Sequence, residues 1–409
     1  MIGPPLRLPG EHFAAALCFL LTGAIAAVWI APVLATGGHP LPRVVGVTHL
    51  FTLGWITTSI MGALYQFLPV ALGTPIASER VAHLTFALYV PGVSVFVAAL
   101  VLGAERFVLP GVVALGIGLL LFLLNLGVTL RRAERHDVTW WALTGAAVFL
   151  AVTVVLGSAL SVDLQTAFLG DVRQLAVETH LHVALAGWVL LVMVGVSQRL
   201  LPMFLLSHGA PESLAKVAVA SIAAGAAMLA LLHHLPIVGR EVPAMLIAGG
   251  VITYLWQARA FYRHRHRPAL DPGLRLTAAA LLLLALAVPS AAAILTWEVL
   301  PSVRTAYGIL LILACSLFIA AHYYKIVPFL VWNRHFGPLA GTRPLPRVAD
   351  LYSRQLASGA AVLLVLGAVT LTASVAAGSV AGARAGALLF AIGVALEAGQ
   401  MVGIAGRRP

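Results

Sequence analysis

Charge is scarce in this sequence. Asp, Glu, Lys and Arg make up 10% of its 409 residues, and 61% are hydrophobic. A soluble domain is about half apolar and about a quarter charged. No polar stretch is long enough to form a soluble domain, the longest being the connection at 333–353. Cysteine is scarcer still. Cys18 and Cys315 both fall inside apolar runs, which excludes a disulfide framework and a thiolate metal site. With no CxxCH motif, covalently attached c-type haem is excluded too. The opening residues MIGPPLRLPGEHF lack a cleavable signal pattern, so the first apolar run reads as a membrane span.

Long apolar runs are what the sequence does have. Twelve stretches are each long enough to cross a bilayer as a helix. They lie near 13–35, 46–73, 82–103, 107–130, 140–162, 178–205, 214–234, 242–262, 274–297, 303–332, 354–377 and 384–405. The expected fold class is therefore all-α: a polytopic membrane protein of twelve transmembrane helices, forming one transmembrane domain over 1–409. The lipid bilayer is its first partner.

The formal net charge of +11 is explained by topology. Loops on the cytoplasmic side carry an excess of Lys and Arg. With the N-terminus inside, only Arg43, Arg106, Arg173, Arg240, Arg304 and Arg384 of the 25 basic residues fall outside. Both termini are then cytoplasmic, the membrane is of the bacterial inner (plasma) type, and nucleic acid is not an expected partner.

Span 2 reads THLFTLGWITTSIMGALYQFLPV and span 6 reads THLHVALAGWVLLVMVGVSQRLLPMF. Setting Pro69 on Pro202 puts His49 on His182, Gly54-Trp55 on Gly187-Trp188, and Gly62 on Gly195. Span 10 ends YYKIVPFLVW; placing Pro328 in the same column aligns Gln66, Arg199 and Lys325, with Gly308 in the histidine column. A fixed period of this kind sets architecture. It implies three four-helix units, roughly 1–135, 136–265 and 266–409, in a pseudo-threefold bundle with one long helix from each unit lining the interior.

An ionisable residue inside a membrane is a functional-site candidate by default. Read from the span limits, His49, His180 and His182 sit about 3–8 Å below the outer helix ends, and His233 and His234 end span 7 at the same side. Residues two apart on a helix point about 200° apart, so His180 and His182 suit two centres rather than one. His49 and His182 in one column suit the two axial positions of a low-spin haem, each ring's tautomer being set by a neighbouring group. His233-His234 suit copper. His322, in the inner part of span 10, reads as a proton-path residue or an interfacial polar group; Glu397, the only carboxylate deep in a span, reads as a proton-handling or structural hydrogen-bonding residue; and His83 reads as interfacial.

These features resemble the catalytic subunit (subunit I) of the haem–copper oxidases and nitric oxide reductases, with this chain as a divergent member. In that family a His-x-His helix holds a low-spin haem through its second histidine and a high-spin haem through its first. The resemblance implies those roles for His182 and His180, makes His49 the other low-spin ligand, and makes His233-His234 copper ligands. In this chain the pair lies on span 6, whereas the family carries it on its tenth helix, and span 7 has no tyrosine.

What the resemblance implies is a haem-binding membrane redox protein with haem b and copper. It would pass electrons to, or bind, a small diatomic gas such as O2 or NO, with cytochrome c, a cupredoxin or quinol as donor. It leaves open whether the protein turns over as an oxidoreductase. Arg173, Arg240 and Arg304 are the candidate partners for haem propionates. Two other readings stay open from the residues: a twelve-helix secondary transporter, and a haem or copper stress-response or assembly protein without turnover.

Overall fold

The computed structural model describes residues 6–208, 210–231, 239 and 241–409. His233, His234 and Arg240 lie outside the described residues. Among the described residues twelve long helices follow one another. They are α1 Arg7–Ala35, α2 Pro42–Leu72, α3 Glu79–Leu102, α4 Val108–Arg131, α5 Val138–Thr166 and α6 Gly170–Leu205. They continue as α7 Glu212–Leu231, α8 Glu241–Arg263, α9 Pro272–Thr296, α10 Pro301–His335, α11 Arg354–Ala376 and α12 Val380–Ala405. Among the described residues no named β-strand occurs.

The helix starts follow local chemistry. Asp137 accepts from the Thr139 and Trp140 amides, and Asp271 accepts from the Leu274 amide. Ser78, Ser353 and Ser379 cap α3, α11 and α12 in the same way. Each satisfies a backbone donor that the first turn leaves unpaired. Pro42, Pro272 and Pro301 occupy first-turn positions, where a missing N–H costs nothing.

Eleven of these helices are long and apolar enough to cross a membrane. The exception is α8, at 23 residues, because Glu241, Gln257, Arg259 and Arg263 make it more polar. On α4, Val113, Ile117, Leu120, Leu124 and Val128 are all exposed. Their spacing of three or four residues puts them on one face. The buried residues Leu115, Leu119, Phe122 and Leu126 follow the same spacing. A continuous exposed aliphatic stripe on a helix that is apolar all round belongs against lipid. The protein is a polytopic all-α membrane protein.

The described residues fall into two compact units. One holds Ile60–Pro268 together with the chain up to His12; the other holds Phe13–Ser59 and Ala269–Pro409. The division falls within α1, within α2, and again between Pro268 and Ala269, the last close to the limit between the second and third sequence repeats.

Several features recur at a spacing of four helices within these units. The second helix of each repeat is long: α2, α6 and α10 have 31, 36 and 35 residues. The third and fourth helices pair through glycine, since a Cβ at Gly92, Gly250 or Gly386 would run into the backbone of the partner helix. Small residues permit this approach. Arg199 of α6 pairs with Asp137, the cap of α5, and Lys325 of α10 pairs with Asp271, the cap of α9. The aligned basic column therefore ties the second helix to the start of the first in the second and third repeats.

A further column repeats as well. Gln198 and Gln257 exchange amide hydrogen bonds of 3.0 and 2.9 Å, and Tyr324 meets Gln400 at 3.0 Å. In both cases an amide near the end of the fourth helix meets the residue just before the Arg199–Lys325 column.

Candidate functional site

His49 lies in the unit that contains α9–α12, and His180 and His182 lie in the unit that contains α3–α8. All three are half-buried. They sit deeper in their helices than the apolar runs suggested. His49 is the last residue of the eight-residue segment Pro42–His49, and His182 ends the ten-residue segment Arg173–His182. At 1.5 Å per residue His49 is about 10 Å from Pro42 and His182 about 13 Å from Arg173. The difference arises because α2 starts on a proline and α6 on the polar stretch RQLAVETH, and hydropathy marks neither.

The two aligned histidines are held in the same way. His49 Nδ1 meets the Val45 carbonyl at 2.8 Å, and His182 Nδ1 meets the Glu178 carbonyl at 2.8 Å. A carbonyl only accepts, so Nδ1 carries the hydrogen and the lone pair is on Nε2.

Immediately after each histidine the helix widens into a π-helical segment, Leu50–Thr57 in α2 and Val183–Leu190 in α6. These segments coincide position for position under the sequence alignment. π-Helical turns are rare and concentrate at functional sites. Each carries the Gly-Trp pair, with Trp55 and Trp188 essentially fully buried. Gly54 is pressed onto the Phe19 ring of α1 and Gly187 onto the Phe149 ring of α5. A Cβ at either glycine would lie 2.6 Å from the phenylalanine Cγ.

His180 is seated differently. Its ring packs against Gly157 of α5, where a Cβ would lie 3.0 Å from its Cε1. The two histidines of the pair are therefore oriented by different devices, as expected for residues two apart on one helix.

Other polar groups fall as follows. Arg173 pairs through Nε with the buried Asp163 at 3.2 Å, which gives that arginine a structural partner. His83 Nδ1 lies 2.6 Å from Glu11. His322 is buried rather than interfacial, with Nδ1 2.7 Å from the Phe318 carbonyl and its ring stacked on Phe318 at 4.3 Å.

Sequence reasoning did not single out His12. It is fully buried, anchored through Nδ1 to the Leu8 carbonyl at 2.8 Å, and lies against Tyr65 and Phe86 with ring centroids 5.4 and 5.0 Å away. Its place just ahead of an apolar run, among PGEHF, gave no sign of that burial. Among the described residues no three His, Cys, Asp or Glu side chains gather to hold a metal ion. Searched against known protein families and curated protein sequences, the chain matches none.

Proposed function

We propose that this protein is a haem-binding membrane redox protein related in architecture to the haem–copper oxidases, with His49 and His182 as the residues that would hold b-type haem. The observation that carries this reading is the shared treatment of two aligned histidines. Each ring is fixed by an i−4 carbonyl on Nδ1 and followed at once by a π-helical segment. An imidazole held in this tautomer is neutral and presents Nε2, the species that haem iron takes. Hydrogen bonding at the far nitrogen also raises the basicity of the ligating one. The donor set thus fits the group.

When bound, the haem would supply one-electron chemistry and a site for a diatomic such as O2 or NO. The chain's own residues would hold the rings' tautomers and, through Trp55 and Trp188, pack the helices that carry them. His180, with its ring lodged at Gly157, is the candidate for a second centre, and copper would belong there with His233 and His234. A cytochrome c, a cupredoxin or quinol would supply electrons. The protein would sit in a bacterial-type inner membrane with both termini cytoplasmic.

The test is the reduced-minus-oxidised absorption spectrum of the purified protein. A sharp α band that disappears in His49→Ala or His182→Ala supports the reading. A colourless protein that stays folded removes it and leaves transport as the better account.

A further inference from the structure

Glu397 of α12 is fully buried. It shares a helix face with the buried Phe390, Val394 and Met401. Neither of its carboxyl oxygens has a hydrogen-bond partner among the described residues. The phenols of Tyr323 and Tyr324 on α10 lie within its electrostatic reach. Tyr323 is held by Ser59, hydroxyl to hydroxyl at 2.8 Å.

Tyr324 is held by Gln400, one turn beyond Glu397. The Gln400 amide satisfies every neighbour when its NH2 donates to the Ser353 carbonyl at 3.0 Å and its oxygen accepts from the Tyr324 hydroxyl and the Ala357 amide. The Tyr324 ring also lies 5.4 Å from that of Tyr352, which is half-buried.

The basic and titratable groups around this site are engaged elsewhere or distant. Lys325 pairs with Asp271, and His322 is anchored to Phe318. α11 has no ionisable residue beyond Arg354 at its first position. Arg384, on Glu397's own helix, is 13 residues away, or about 20 Å. An ionised carboxylate here would be a charge without a partner in a medium that solvates it poorly, which costs several kcal/mol or more. Carrying a proton removes that cost.

We propose that Glu397 is a proton-binding site: its carboxyl holds a proton in the resting protein and exchanges it with water, leaving a carboxylate when the proton departs and restoring the acid when one returns. The inference needs no haem and stands if the haem reading fails.

The test is infrared spectroscopy of the purified full-length protein in H2O and in D2O. Wild type is expected to show the carbonyl stretch of a protonated carboxylic acid. That band shifts down in D2O and is missing in Glu397→Gln. Should Glu397→Gln not fold, Glu397→Asp serves instead and moves the band rather than removing it. No such band, or one that D2O leaves unmoved, overturns the site.

Discussion

His182 donates its Nδ1 hydrogen to the carbonyl of Glu178, 2.8 Å away on the preceding turn. The ring is thereby fixed by its own helix and presents Nε2. His49 and Val45 repeat the arrangement. Because the anchor is a main-chain atom, no side-chain substitution at Glu178 or Val45 removes it. Glu178→Gln and Val45→Ala are expected to leave any His-dependent spectral signature of the protein in place, measured by absorption. Loss of the signature in both would place the control of the rings in those side chains instead.

The glycines that seat the π-helical segments give a matched pair of tests. In Gly54→Val and Gly187→Val the added atoms meet the Phe19 and Phe149 rings within van der Waals contact. Overpacking of this kind costs roughly 1–3 kcal/mol. Both variants are expected to melt earlier in detergent, and by similar amounts, because the two sites are equivalent. A large loss at one site and none at the other would show that the equivalence does not extend to packing.

The two ion pairs at the helix caps differ in burial, and so should their variants. The Lys325 and Asp271 side chains are 13% and 11% exposed, whereas Arg199 and Asp137 are 45% and 25% exposed. Removing one partner of a buried pair strands the other and costs about 3–5 kcal/mol. An exposed pair is worth about 1 kcal/mol or less. Lys325→Met is expected to lower thermal stability clearly more than Arg199→Met. Asp271→Ala should add the loss of a helix cap, about 1 kcal/mol. Thermal unfolding of the three variants checks the order.

Topology is open to a direct experiment. In a background with Cys18 and Cys315 replaced by alanine, a cysteine at Glu105 is expected to react with a membrane-impermeant thiol reagent added to intact cells. A cysteine at Arg343 is expected to react only after the membrane is opened. The reverse pattern would invert the assignment drawn from the basic residues.

Much of the architecture was legible in the sequence because hydropathy and period are properties of contiguous chain. The spans, the likeness of α2 to α6, and the column of Gln66, Arg199 and Lys325 all follow from reading along it. What that column does was not legible. Arg199 and Lys325 find Asp137 and Asp271, over 50 residues away in sequence, only once helices pack. The π-helical segments were hidden too, since Leu50–Thr57 and Val183–Leu190 are as apolar as any helical stretch and the extra residue per turn leaves no compositional mark. The helix starts at Pro42 and near Arg173 were missed because α2 opens on Pro-Arg and α6 on the polar stretch RQLAVETH. His180 gave itself away as a histidine, but its seat at Gly157 depends on a glycine in another helix. Glu397 was visible as a carboxylate in a span; that none of the described residues hydrogen-bonds its carboxyl was not.

The most direct measurement is haem content and the reduced-minus-oxidised spectrum of the purified wild-type protein beside His49→Ala and His182→Ala. The expected result is stoichiometric b-type haem with a sharp low-spin α band in wild type, lost in each variant while both remain folded. Wild-type protein that is folded and free of haem, or an α band that survives both substitutions, would contradict the assignment of these two histidines.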